Sequence, residues 1–171
     1  MGETTANDFR SAMRALASAV SIVSTASQTR RFGMTATAVT SLSAEPPSLL
    51  VCVNQAASLH NPLLESRIFC VNILHAWQTA LAHTFGSKDV GDRFAHGDWC
   101  ADPRATPYLA DAQANIFCEV AEVHAYGTHS IVIGRIYHIG VRPPFHPLVY
   151  QDGRYTVGLA EGVDWVIPIA G

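Results

Sequence analysis

Two adjoining segments constrain the fold of this chain most. They are Gly33-Met34-Thr35-Ala36-Thr37-Ala38-Val39-Thr40-Ser41 and, after Pro46-Pro47, Ser48-Leu49-Leu50-Val51-Cys52-Val53-Asn54. The first reads as a strand of small hydroxylated and small apolar residues. The second is apolar on both faces, as a central strand covered on both sides would be. Paired prolines lack the N–H groups a ladder needs, so the chain must turn between them. Small side chains leave the first strand's backbone and hydroxyls open to a flat aromatic ligand, and a flavin is the first such ligand to consider.

The rest of the chain alternates between similar signals. Asn7 to Ser18 reads as an amphipathic helix, with Phe9, Met13, Leu16 and Val20 near the helical period and Thr5 or Asn7 as caps. Val20 to Thr25 alternates like a half-buried strand, and Phe32 to Ser41 follows a turn. Ser58, or Asn61 ahead of Pro62, is positioned to cap a helix reaching about Ser66. Ile68 to Leu74 is a strand, and His75 to Phe85 a helix with Trp77, Leu81 and Phe85 on one face. An irregular stretch runs to about Ala110. Asn115 to Tyr126 and Ser130 to Val141 form two long strands about Gly127-Thr128-His129, and Asp152-Gly153 turns a last hairpin. Many strands with few helices predict a mostly antiparallel barrel, closed to remove sheet edges.

With 171 residues the chain fits one domain, with 1–6 as a tail and 160–171 as a C-terminal extension. A net charge of −3 and a pI near 6.2 argue against a nucleic-acid binder. No apolar run is long enough to span a bilayer, and the amino terminus lacks a secretory pattern. Cys52, Cys70, Cys100 and Cys118 contain no C-x-x-C spacing, so reduced thiols in a cytoplasmic protein are expected. The eight histidines form no tight ligand pattern, and no metal is expected. Nucleotide-binding and hydrolase signatures of the Rossmann, Walker and nucleophile-elbow kinds are also missing.

The positive signals are dispersed. Thr35, Thr37, Thr40 and Ser41 supply hydroxyls. Asn54 and Ser58 lie where a strand passes into a helix whose free N–H groups would favour a phosphate. Lys88 and Arg93 could add charge-assisted contacts to the same group.

In order and spacing these pieces resemble the flavin reductase-like family, the short-chain NAD(P)H:flavin oxidoreductases that serve two-component monooxygenases. The Gly33–Ser41 strand, Ser43-Ala44-Glu45-Pro46-Pro47, and Val51-Cys52-Val53-Asn54 followed by Ala57-Ser58 carry the first part of the likeness. Phe69-Cys70-Val71-Asn72-Ile73-Leu74, Phe85 and Arg93-Phe94 carry the middle. Gly127-Thr128-His129-Ser130-Ile131-Val132-Ile133-Gly134, Pro147-Leu148-Val149-Tyr150 and Gly153-Arg154-Tyr155 carry the end.

The resemblance implies a mostly β fold with a few helices, a six-stranded antiparallel split β-barrel that binds FMN or FAD and forms a homodimer. It implies hydride transfer from NADH, or possibly NADPH, to the flavin, and release of reduced flavin to a separate oxygenase. It places Thr35, Ala36, Thr37 and Ala38 along the isoalloxazine, with Ser41, Cys52, Val53, Asn54 and Ser58 on ring, ribityl or phosphate. Phe85, Lys88 and Arg93 close the other side, and His129 and Tyr155 face the nicotinamide. Thr128 departs from the family's usual Asp, which puts the support of His129 in question. Rival readings are a flavin- or haem-binding barrel without turnover, and a barrel whose site is vestigial.

Overall fold

A computed structural model describes residues 3–87 and 91–158. Helix α1 (Glu3–Arg14) leads into β1 (Ser18–Ala19), β2 (Ser21–Ser27), β3 (Arg30–Ala36), β4 (Val39–Ala44) and β5 (Pro47–Asn54). Then come α2 (His60–Ser66), β6 (Ile68–Ile73), a 3₁₀ turn at Ala76–Gln78 and α3 (Thr79–Gly86). A second 3₁₀ turn at Arg93–Ala95 and the short pair β7 (Trp99–Ala101) and β8 (Pro107–Leu109) organise the stretch expected to be irregular. The chain continues through β9 (Ala114–Tyr126), β10 (His129–Val141), β11 (Leu148–Gln151) and β12 (Arg154–Val157).

The main sheet has seven strands in the order β3-β2-β6-β9-β10-β5-β4, each pair antiparallel. The strand expected over Phe32–Ser41 is therefore two strands, broken at Thr37-Ala38. Its first half pairs with β2 and its second with β5, so the two edges of the sheet are halves of one bent segment. The bend is held where the Cys52 N–H donates to the Ala38 carbonyl at 3.0 Å. Ala36 and Val39, three Cα steps apart, can be separated by no more than about 10 Å, so the sheet must curl. No ladder joins β3 to β4 among the described residues, so the pairing runs over seven strands and stays open at this seam, where six closed strands were expected.

Two cores lie on either side of β2. Val23 faces an inner cluster with Val51, Val53, Phe69, Val71 and Val132, plugged by Leu59 and Leu63 at α2. Ile22 faces an outer cluster with Leu74, Phe85, Leu109 and Leu148, which fastens α3 and the β7–β8 region to the sheet. Each such side chain withdrawn from water contributes about 1.5–3 kcal/mol. Between them lies a polar knot at Asn72, whose side chain is fully buried. Its Nδ2 donates to the Ile22 carbonyl at 2.8 Å and Ser24 Oγ at 2.9 Å. Its Oδ1 accepts from the Leu109 N–H at 2.8 Å and Asn115 Nδ2 at 2.9 Å.

Several local expectations change. Helix α1 begins at Glu3, inside the segment read as a tail, and ends at Arg14. Its apolar face is not core within one chain: Phe9 and Met13 are 63% and 44% exposed. Trp77, at 65% exposure, leaves the face shared with Phe85, because a 3₁₀ turn precedes α3 and changes the phase. Neither Ser58 nor Asn61 caps α2, which starts after Leu59 without a side-chain cap. Asn54 Oδ1 accepts the Ala56 N–H at 2.9 Å instead, so the loop is shaped before the helix begins. All four cysteines are free, and burial pushes the Cys118 thiol up to about 12.

Candidate functional site

Gly33 explains how α3 comes to lie against β3. A Cβ there would sit 2.7 Å from the Phe85 ring, so only glycine lets that ring pack on the strand backbone. Thr35 completes the attachment, its Oγ1 donating to the Ala82 carbonyl at 2.7 Å. The Thr35 hydroxyl proton is thus committed to α3. This contact positions the end of α3 opposite the β5–α2 loop.

The gap between them is a cleft of about 530 Å³. Met34 and Thr35 form one wall, Asn54, Ala56, Ala57 and Ser58 of the loop a second, and Phe85, Gly86 and Ser87 a third, with Arg93 across the end. An adjoining cleft of about 550 Å³ shares Ser58 and Arg93 with it and continues along Arg30, Arg31 and Phe94. Both fall within the ~300–1,000 Å³ range of small-molecule sites.

Arg93 spans the boundary. Its Nη1 donates to the Gly33 carbonyl at 3.4 Å, and its Nη2 donates to the Ser87 carbonyl. Its Nε is buried without a hydrogen-bond partner, one of two such side-chain atoms in the described residues; the other is His75 Nδ1, beneath the stacked Trp77 ring. Arg93 has no carboxylate partner among the described residues. An unmatched buried donor is costly unless another group satisfies it. Helix α2 has only seven residues, so its dipole is a minor source of anion attraction and Arg93 is the principal one.

The structure therefore brings together Thr35, Asn54, Ser58, Phe85 and Arg93. Ala36 and Val53 point into the core, at 6% and 0% exposure, leaving only their backbone groups for a ligand. Thr37, Ala38 and Cys52 lie at the bend and Ser41 beyond it on β4, and none of them lines either cleft. Lys88 lies outside the described residues. Ala56, Ala57, Gly86 and Ser87 were missed because they offer a ligand mainly backbone and shape. Arg31 was missed although Arg30-Arg31 is conspicuous among otherwise scattered cations.

His129 is the exposed first residue of β10 and lies in register with Asn54, a residue of the first cleft, but it lines neither cleft itself. Thr128 supports it after all: Thr128 Oγ1 and His129 Nδ1 are hydrogen-bonded at 2.9 Å. The His129 carbonyl also accepts from Gln55 Nε2 at 3.2 Å. Tyr155 packs edge-on against His83 of α3, 4.8 Å between ring centres, and burial raises its phenol pKa. It lines neither cleft. No group of three or more potential metal ligands occurs among the described residues.

The residues present suit a flavin: Met34 offers apolar surface beside the almost fully buried Phe85 ring, and Asn54, Ser58 and the unmatched Arg93 Nε offer polar contacts. Comparison with known proteins points the same way. Over 149 residues the chain is 38% identical to an FMN reductase (NADH) RutF of Variovorax paradoxus strain S110, covering 86% of this chain and 83% of that one. It is 37% identical to the reductase component of an FADH(2)-dependent resorcinol hydroxylase of Rhizobium sp. strain MTP-10005, covering 94% and 92% of the two chains. A solved homologue of nitrilotriacetate monooxygenase component B from Mycobacterium thermoresistibile superposes with a TM-score of 0.87 at 27% identity, covering 98% of this chain and 96% of that one. The family model described as flavin reductase like domain matches residues 13–158, and the chain belongs to that family.

Proposed function

We propose that this protein is an NAD(P)H:flavin oxidoreductase that reduces FMN or FAD and releases the reduced flavin to a separate oxygenase. The observation that carries this reading is the cleft itself. It gathers Thr35, Asn54, Ser58, Phe85 and Arg93 from distant stretches around a space of about 530 Å³. The names of the relatives supply the direction: one is an NADH-dependent FMN reductase and another the reductase half of a hydroxylase.

The hydride chemistry belongs to the flavin and the nicotinamide, whereas the protein binds, orients and excludes water. Phe85 and Met34 flank the ring, and Arg93 and Ser58 hold the phosphate end. The backbone along Ala36–Ala38, with Ser41, Cys52 and Val53 nearby, follows the ring edge past the cleft, and Lys88 adds to the phosphate contacts. His129, held by Thr128, orients the nicotinamide beside the cleft, and Tyr155 lines its approach. No side chain is required as acid, base or nucleophile.

The bent β3–β4 segment supports the split-barrel reading, with its two halves counted as one strand of six. The bare apolar face of α1 supports pairing of two copies into a homodimer, and the free thiols favour a reducing cytoplasm. No helix among the described residues is long and apolar enough to cross a membrane. The whole chain is read as one domain. The test is anaerobic: NADH mixed with protein and FMN should bleach the flavin absorbance far faster than NADH and FMN alone. Equal rates with and without the protein would overturn the assignment.

A further inference from the structure

The cleft beyond Arg93 has its own chemistry. It is as large as the first, about 550 Å³, and it is reached past their common wall at Ser58 and Arg93. Arg30 and Arg31, on the β2–β3 hairpin, face it together with Arg93, and Asp92 is the single carboxylate in its lining. Asp92 is already engaged, since its Oδ1 accepts the Phe94 N–H at 3.0 Å.

Neither Arg30 nor Arg31 has a carboxylate partner among the described residues, although the chain as a whole carries a net charge of −3. Each guanidinium instead lies over an aromatic ring, Arg31 at 4.7 Å from the Phe94 centroid and Arg30 at 5.4 Å from that of Phe32. Stacking of this kind holds a guanidinium in place while leaving its N–H edge free to donate.

We infer that this second cleft receives the adenosine diphosphate half of a dinucleotide, with Arg30 and Arg31 on the pyrophosphate. Three guanidinium groups against one occupied carboxylate match a doubly charged pyrophosphate, which accepts hydrogen bonds in the planar, paired geometry that arginine supplies. Half-buried Phe32, in the lining of the cleft, gives an adenine ring apolar surface, while Phe94 is buried beneath Arg31 and serves to seat that guanidinium. The inference rests on the flavin reading of the first cleft, because the shared Arg93 wall is what places the two halves of one ligand end to end. A mononucleotide would fill the first cleft alone. The same adenosine diphosphate chemistry is found in FAD and in NADH.

The test uses the full chain and the double variant Arg30→Ala/Arg31→Ala, both substitutions at exposed positions. ADP is titrated by calorimetry, FMN and FAD by flavin fluorescence, and NADH by its KM with FMN as acceptor. The wild type should bind ADP, and the double variant should bind it about tenfold more weakly, with Arg30→Lys/Arg31→Lys recovering part of the loss. A parallel loss for FAD, with FMN affinity held within about twofold, identifies FAD as the source. A rise in the NADH KM with both flavins unaffected identifies NADH.

Wild-type protein that binds FMN but not ADP would overturn the inference and leave the flavin reading intact. So would equal ADP affinity in wild type and double variant, or equal losses of FMN and FAD. Wild-type protein that binds no flavin would overturn the flavin reading and the inference with it.

Discussion

The Asn72 knot and the Arg93 wall are both polar clusters assembled from distant stretches, and they are finished differently. At Asn72 both amide hydrogens and both carbonyl lone pairs meet protein partners, with no exposure to solvent. At Arg93 two nitrogens reach carbonyls on two elements, while Nε is left buried and unmatched and no carboxylate answers the charge. A fully paired buried network gives rigidity and a unique arrangement. A cation clamped in position but incompletely paired is organised for a partner that comes and goes. The fold is complete at the first and waits for a ligand at the second.

Substitutions should separate the two regions. Asn72→Ala takes the side-chain partner from the Leu109 N–H and the Ile22 carbonyl in the interior, leaves Asn115 Nδ2 only its bond to the Leu109 carbonyl, and should cost about 3 kcal/mol or more in urea unfolding. A loss under about 1 kcal/mol would mean that the knot is no tighter than the wall. Gly134→Ala tests the same interior by crowding. A Cβ there would lie 2.5 Å from the Phe69 ring and 2.8 Å from Cys118 Cβ, and a loss of about 1–3 kcal/mol is expected.

The wall should respond on another axis. Arg93→Ala should weaken FMN binding about tenfold, while its unfolding free energy stays within about 1 kcal/mol of wild type. Reversal of those two sensitivities would erase the contrast. His129→Ala removes one exposed contact beside the cleft, so the NADH KM should rise about fivefold with FMN affinity unchanged.

The smallest effect lies outside both regions, on the outer face of β9. Hydrogen bonds from Arg135 and Arg104 hold the Glu119 carboxyl below its ordinary range. A lowered folded-state pKa adds stability above the unfolded value of about 4.3 and loses it as pH falls through the folded value. Glu119→Gln should therefore differ slightly from wild type at neutral pH and converge with it in acid, as followed by thermal unfolding. A difference that grew in acid would reverse the sign.

The strands were legible because alternation and β-branched runs repeat over many residues, and the Asp152-Gly153 hairpin because its turn residues take positive φ, 49° and 78°. The break at Thr37-Ala38 was not, since nothing in a run of small residues marks where a strand changes partner. The apolar stripe expected over Phe9, Met13, Leu16 and Val20 holds on α1 only at Phe9 and Met13, because the helix ends at Arg14 and Val20 enters the core; periodicity says that a face is apolar, not where the helix stops or what covers it. Ser58 does not cap α2, yet it lines both clefts, so its position there does not depend on the helix start. Thr128 shows the reverse case, a departure from a family pattern whose hydroxyl nonetheless hydrogen-bonds His129.

By itself the sequence determined the elements and their pairing signals, because periodicity and turn chemistry act over a few residues. Only the tertiary structure decided that Arg93 would lie across Gly33, 60 positions earlier, and beside Arg30 and Arg31. That meeting depends on an α3 ring settling on a glycine backbone, and on where an irregular segment comes to rest once both cores are packed. Close packing over long separations sets such contacts, and no local pattern encodes them.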